Sequence, residues 1–194
     1  MPVLERPFFN LAVMKVTLAE LLEAFSSVPS LSVQAENTKL LFPRQPYHAS
    51  PSDLPMILWS PKCAPELTAF MPQVSSGDYF VLEYACKRFG YATASVRSTP
   101  QTAEWPINEF IARDGEKRQR IVRAMKDSPR WEFYAEGESL PFEVQSNYTA
   151  RLVRDRFQRG ALLTYLEHWG APVRRAEFWQ SHREAKTFVR QNAG

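Results

Sequence analysis

WPINEFIARDGEKRQRIVRAMKDSPRWEFYAE, residues 105–136, decides the fold. It divides into three short runs, 105–113, 118–126 and 130–136, separated by turn-forming residues. The Asp114-Gly115 pair is a hairpin signal, because a two-residue turn between strands needs positive φ and glycine adopts it without strain. Asp127-Ser128-Pro129 is a second turn signal. In the last run Trp131, Phe133 and Ala135 fall on one side, and Arg130, Glu132 and Tyr134 on the other, as in a strand with one wet face. The middle run also fits a helical period through Ile121, Val122 and Met125. The turn signals at both of its ends assign it to a strand.

Working toward the N-terminus, 91–98 reads as a strand that follows a helix, DYFVLEYACKRFG. Ser76 or Asp78 would cap that helix at its start, Phe80, Val81, Tyr84 and Ala85 would form its buried face, and Gly90 would end it. MILWS (56–60) and LTAFM (67–71) are short apolar runs bounded by proline and read as strands. Between Pro43 and Pro55 four prolines bar regular structure, which makes that stretch, with His48 in it, a connector or surface arm. The run 10–16 is a strand candidate, and TLAELLEAFSS after it opens with a capping box, Thr17 and Glu20, ahead of an apolar stripe of Leu18, Leu21, Leu22 and Phe25.

Toward the C-terminus the period lengthens. NYTARLVRDRF reads as one helix, ALLTYLEHW, closed by Gly170, as a second, and RRAEFWQSHREAKTFVRQ as a third with Phe178, Trp179, His182, Ala185 and Val189 near one face. A helix, consecutive strands and then consecutive helices make an α+β protein with a mostly antiparallel sheet, packed helices and a helical C-terminal part. A length of 194 residues fits one domain, with a sheet-rich body over 1–145 and a helical part over 146–194.

Hydrophobic residues at 44% and charged residues at 23% place the chain among ordered globular proteins. Seven glycines against 15 prolines argue against a glycine-rich phosphate loop, and two cysteines with three histidines leave little for a metal cluster. No cofactor or metal is expected. The N-terminus lacks the basic region of a secretory signal, and no apolar run approaches membrane-spanning length, so the expected location is cytoplasmic, with no membrane partner and with Cys63 and Cys86 reduced.

Catalytic constellations are sparse. Ser75-Ser76-Gly77 lacks the glycine that precedes the serine of a nucleophile elbow and serves better as a cap. Cys86 beside Lys87 and Arg88 has no identifiable His or Asn partner. Glu104, Glu109, Glu132, Glu136, Glu138 and Glu143 come from the strand region, where Glu109 and Glu132 could face one another with Arg97, Arg113, Arg120 or Arg123 nearby. Cross-strand charge pairing accounts for such a set, and a general acid–base pair is the minority reading. The net charge of +3 hides an asymmetry: residues 146–194 carry nine basic against four acidic groups, +5, and residues 1–145 carry −2. In RLVRDRFQR, Arg151, Arg154, Arg156 and Arg159 would cover much of the polar surface of a helix.

Two stretches, TAFMPQVSSGDYFVLEYACKRFG followed by ASVRS, and RIVRAMKDSPRWEFYAEGESLPFE leading into Tyr148, RLVRDRF and LLTYLEHWG, resemble small bacterial proteins found beside polymorphic toxins and thought to act as immunity proteins. The resemblance spans about 55–170 and rests on packing and turn patterns. It implies a non-enzymatic action, a folded surface that blocks a cognate toxin. Because immunity proteins against nucleases are commonly acidic and this chain is not, it also implies a toxin of another class, with an acidic docking surface. The expected function is therefore protein binding. Its candidate anchors are Trp105, Arg113, Arg123, Arg130 and Tyr134 on the sheet and Arg151, Arg154 and Trp179 on the helices. Nucleic-acid binding through the C-terminal arginines is the alternative, and an enzyme using sheet-face carboxylates is the second.

Overall fold

The computed structural model of the chain describes residues 3–5, 9–28, 31–38, 40, 56–71, 80–115, 118–182 and 185–190. The Pro43 to Pro55 connector and the Ser76 or Asp78 cap lie outside the described residues.

The protein is α+β. Among the described residues nine strands form one sheet in the order β2-β9-β3-β4-β1-β5-β6-β7-β8, and every pairing between them is antiparallel. They are β1 (Phe9–Met14), β2 (Leu31–Thr38), β3 (Met56–Trp59), β4 (Thr68–Met71), β5 (Thr93–Ser98), β6 (Ile107–Arg113), β7 (Gln119–Asp127), β8 (Arg130–Glu136) and β9 (Ala185–Arg190). Three α-helices among the described residues accompany them: α1 (Leu18–Ser26), α2 (Phe80–Phe89) and α3 (Arg159–Trp169). No helix among the described residues is long and apolar enough to cross a membrane.

The middle of the sheet is covered on both faces. Leu11, Val13, Ile57, Trp59, Ala69, Val96 and Phe110 point to a first face and share a core with Leu162, Tyr165 and Leu166 of α3. Ala12, Met14, Leu58 and Phe70 point to the second face and pack with Leu18, Leu21 and Phe25 of α1 and Leu82 and Ala85 of α2. β1 and β4 are therefore buried at every position, which explains why their sequences are mostly apolar and do not alternate. Helix α1 starts as expected: Thr17 Oγ1 accepts from Glu20 N–H at 3.3 Å and a Glu20 carboxylate oxygen accepts from Thr17 N–H at 3.2 Å.

Strands β5 to β8 form a meander, the one expected from residues 91–136. The ambiguous middle run is strand β7, in register with β6 from Arg113 opposite Gln119 to Ile107 opposite Met125. The turn at Asp114-Gly115 places Gly115 at φ +87°, where a Cβ would lie 2.1 Å from the Gly90 carbonyl oxygen. Glycine is required there by both conformation and space.

The C-terminal part departs from expectation in two places. NYTARLVRDRF is not a helix but two 3-10 turns, Gln145–Thr149 and Val153–Asp155, neither with a side-chain cap. Tyr148 is held by its hydroxyl, which donates to Glu143 at 2.8 Å, and Arg156 Nε donates to the Ala150 carbonyl at 3.0 Å. These bonds fix the segment over the first face of β7 and β8. The third expected helix is a 3-10 turn, Ala176–Trp179, followed by strand β9. Lys62 N–H donates to the carbonyls of Glu177 and Gln180, and His182 N–H to Ser60 at 2.7 Å. The backbone groups that a helix would bond internally are thus bonded to the 60–62 segment, and β9 enters the sheet between β2 and β3. β2 had no counterpart among the elements expected from sequence. Helix α3 matches its expected run and ends at Gly170 with φ 118°.

Candidate functional site

Beyond β5 the two faces of the sheet differ. On the first face Phe133 packs against Tyr148 with ring centres 5.0 Å apart and planes tilted by 42°, and Arg156 lies over Phe133. On the second face no described helix covers β7 and β8. There the register aligns one residue from each of four strands in a row: Arg97, Glu109, Arg123 and Tyr134. Glu109, 5% exposed, sits between Arg97 at 3.4 Å and Arg123 at 3.5 Å. The Arg123 guanidinium lies 5.4 Å from the centre of the Tyr134 ring, a cation–π contact that holds the ring on the face. The Tyr134 hydroxyl donates to Glu136, which raises the tyrosine pKa. Ile121 and Met125 flank Arg123 on the same face and are partly exposed. Tyr134 is 41% exposed and Trp105, in the loop before β6, 58%.

The eight anchors expected from sequence separate accordingly. Arg123 and Tyr134 are brought together, and Arg130 and Glu132 share their face through the two-residue repeat of β8. Trp105 lies at the end of the sheet where Lys126 N–H bonds the Pro106 carbonyl. Arg113 faces the same way but is tied to Glu83 of α2 at 3.1 Å and is nearly buried, so it braces the helix against the sheet. Arg151, between the two 3-10 turns, and Arg154, in the second, are exposed over the opposite face. Trp179 is half-buried: its ring lies 6.0 Å from Trp59 and 6.1 Å from Phe9, and its Nε1 donates to the Val173 carbonyl at 2.8 Å. It belongs to the core.

The basic tail is not a single surface either. Arg156 and Arg159 turn inward, over Phe133 and Phe9 respectively, and Arg174 pairs with Glu167. Exposed Arg151, Arg154 and Arg175 remain among the described residues.

The carboxylates are arranged for structure. Glu109 and Glu132 do not face one another, because β7 lies between their strands and Glu132 is opposite Met125. Glu143 is enclosed: Arg120 donates to both of its oxygens at 2.7 and 2.6 Å, with Leu140 N–H and Tyr148 adding bonds. Burial alone would raise its pKa, but the Arg120, Leu140 and Tyr148 bonds together hold it below the usual value. Cys63 and Cys86 are both free thiols; burial raises the Cys63 pKa, the opposite of what a nucleophilic thiolate requires. Among the described residues no group of His, Cys, Asp and Glu is placed to hold a metal ion.

Sequence reasoning did not single out Ile121, Met125 and Glu136 as surface partners of Tyr134. The alternation in the two strands was the available signal, but it gives the face of each residue and not whether anything covers it. Against protein-family models, curated proteins and solved structures alike, the chain has no match.

Proposed function

We propose that the chain works by binding another protein through the second face of β7 and β8, as an immunity-type inhibitor that occludes a toxin's working surface. The observation that supports this reading is the row Glu109–Arg123–Tyr134. It ends in an exposed aromatic ring held in place from below, beside partly exposed Ile121 and Met125 and with no described element over it. A rigid aromatic on an arginine, ringed by apolar and charged groups, is the arrangement of an interface hot spot. Arg130 and Glu132 before Tyr134 along β8 and Glu136 after it call for a partner patch carrying acidic and basic groups together, a refinement of the wholly acidic surface first expected. The toxin class rests on the sequence resemblance. A nucleic-acid reading has less to stand on, since two of the four arginines behind it turn inward.

The test is co-purification from the native host with three baits: the natural chain, Tyr134→Arg, and Arg154→Glu as a control on the opposite face. Recovery of one protein partner by the natural chain and by Arg154→Glu, with loss by Tyr134→Arg, is the expected result. Equal recovery by all three, or no partner with the neighbouring toxin expressed, overturns the reading.

A further inference from the structure

On the opposite face of the sheet, a cavity of 290 Å³ opens between the loop after β5 and the start of α3, lined by Thr99, Gln101, Asn108, Gln158, Arg159 and Gly160 among others. The direction of its hydrogen bonds can be worked out from one end. Arginine has no acceptor, so Arg159 Nε donates to Ser98 Oγ at 3.0 Å. The Ser98 hydroxyl proton must then go to its other neighbour, Asn108 Oδ1, at 2.7 Å. With its oxygen so engaged, Asn108 presents its amide NH2 to the cavity, and that group has no acceptor among the described residues. Asn108 is 5% exposed and what is open of it lines the cavity, so the acceptor this amide meets comes from outside the chain.

Other groups in the wall are donors as well. Thr99 Oγ1 accepts from Ile107 N–H at 2.9 Å, which leaves its hydroxyl proton for the cavity. Helix α3 has no side-chain cap, because Gln158 directs its amide to Asp155 at 2.9 Å instead. The first bond within the helix runs from Leu162 N–H to Gln158 C=O, so the N–H groups of Gly160 and Ala161 face outward at the positive end of the helix dipole. The Arg159 guanidinium adds a full charge, and burial lowers its pKa. No carboxylate is among the described residues that line the cavity; Glu109, the neighbour of Asn108 in sequence, points to the other face of the sheet.

We infer that this cavity is a binding site for a tetrahedral oxyanion of the phosphate class, held by the Asn108 amide and the N–H groups at the start of α3, in the positive field of the Arg159 guanidinium, whose Nε and Nη2 donate to Ser98. The site lies on the opposite face from the proposed docking surface and stands whether or not that reading holds.

The test is a titration with inorganic phosphate at constant ionic strength, read by the amide resonances of Gly160 and Ala161 and by thermal melting. Acetate and chloride serve as comparison anions. Saturable shifts at both amides and a raised melting temperature with phosphate are expected. Asn108→Asp keeps the shape, places a carboxylate at the site and is expected to weaken binding by about tenfold or more. Gln101→Glu, at an exposed position on the rim, tests the same charge logic without touching the buried bonds and is expected to weaken binding by about threefold or more. Phosphate effects no larger than those of chloride overturn the proposal, as does full binding by Gln101→Glu. Acetate binding as tightly as phosphate overturns the assignment to tetrahedral anions.

Discussion

The centre of the sheet and its β7–β8 end are made of the same element and do opposite work. At β1, β3 and β4 both faces are buried, between α3 on one side and α1 and α2 on the other. At β7 and β8 the first face keeps its cover, the 3-10 turns of the C-terminal part, while the second face carries Arg123, Met125, Glu132 and Tyr134 without a described layer above it. Burial of apolar area stabilises the fold at the centre. At the end the same backbone holds its second-face side chains outward, where the proposed partner would meet them. The difference teaches that a sheet continued beyond its helices gives a protein a presented surface at little cost in core.

Substitutions should separate these two roles. The largest effect is expected at Trp59, wholly buried with its Nε1 donating to the Phe178 carbonyl at 2.9 Å. Trp59→Ala should cost about 3–5 kcal/mol in denaturant unfolding. The Arg120–Glu143 pair comes next, since removing one charge leaves the other buried. Glu143→Gln should cost about 3 kcal/mol, and it carries a pH signature. The folded-state pKa of Glu143 lies below its ordinary 4.5. The stability it contributes is therefore full above that value and is lost as pH falls through the lower, folded one. The natural chain should lose this increment below about pH 4.5 in a pH series of unfolding curves, and Glu143→Gln should lack that step. At Gly115, positive φ and contact with the Gly90 carbonyl should make Gly115→Ala cost about 2 kcal/mol, seen as a lowered melting temperature. The smallest effect on stability is expected at the open end: Tyr134→Ala should stay within about 0.5 kcal/mol of the natural chain in the same assay. A Tyr134→Ala loss as large as that at Trp59 would erase the distinction between the two regions.

The sequence was most legible where a local rule acts alone. Thr17 and Glu20 named the start of α1, Asp114-Gly115 the hairpin, and Trp131 to Glu136 the two-faced strand, because turn geometry and alternation are fixed within a few residues. It misled where two periods fit the same letters. Residues 178–189 place Phe178, Trp179, His182, Ala185 and Val189 at helical intervals, yet the chain there bonds to Ser60 and Lys62 and then pairs with β3 and β2. That choice is made by backbone partners more than a hundred residues away, and local spacing carries no record of them. The same holds for the site. Arg123 and Tyr134 were legible as outward-facing residues, but their contact follows from the β7–β8 register. Asn108 drew no notice because its environment is assembled from Ser98 and Arg159 on two other elements.

The central claim is that the second face of β7 and β8 is the working surface. Amide hydrogen exchange of the chain, alone and with the recovered partner, tests it most directly. The account predicts that the partner slows exchange across 119–136 and in the loop around Trp105, and leaves 145–157 on the opposite face unchanged. Slowing confined to 145–157, with 119–136 unaffected, would contradict it.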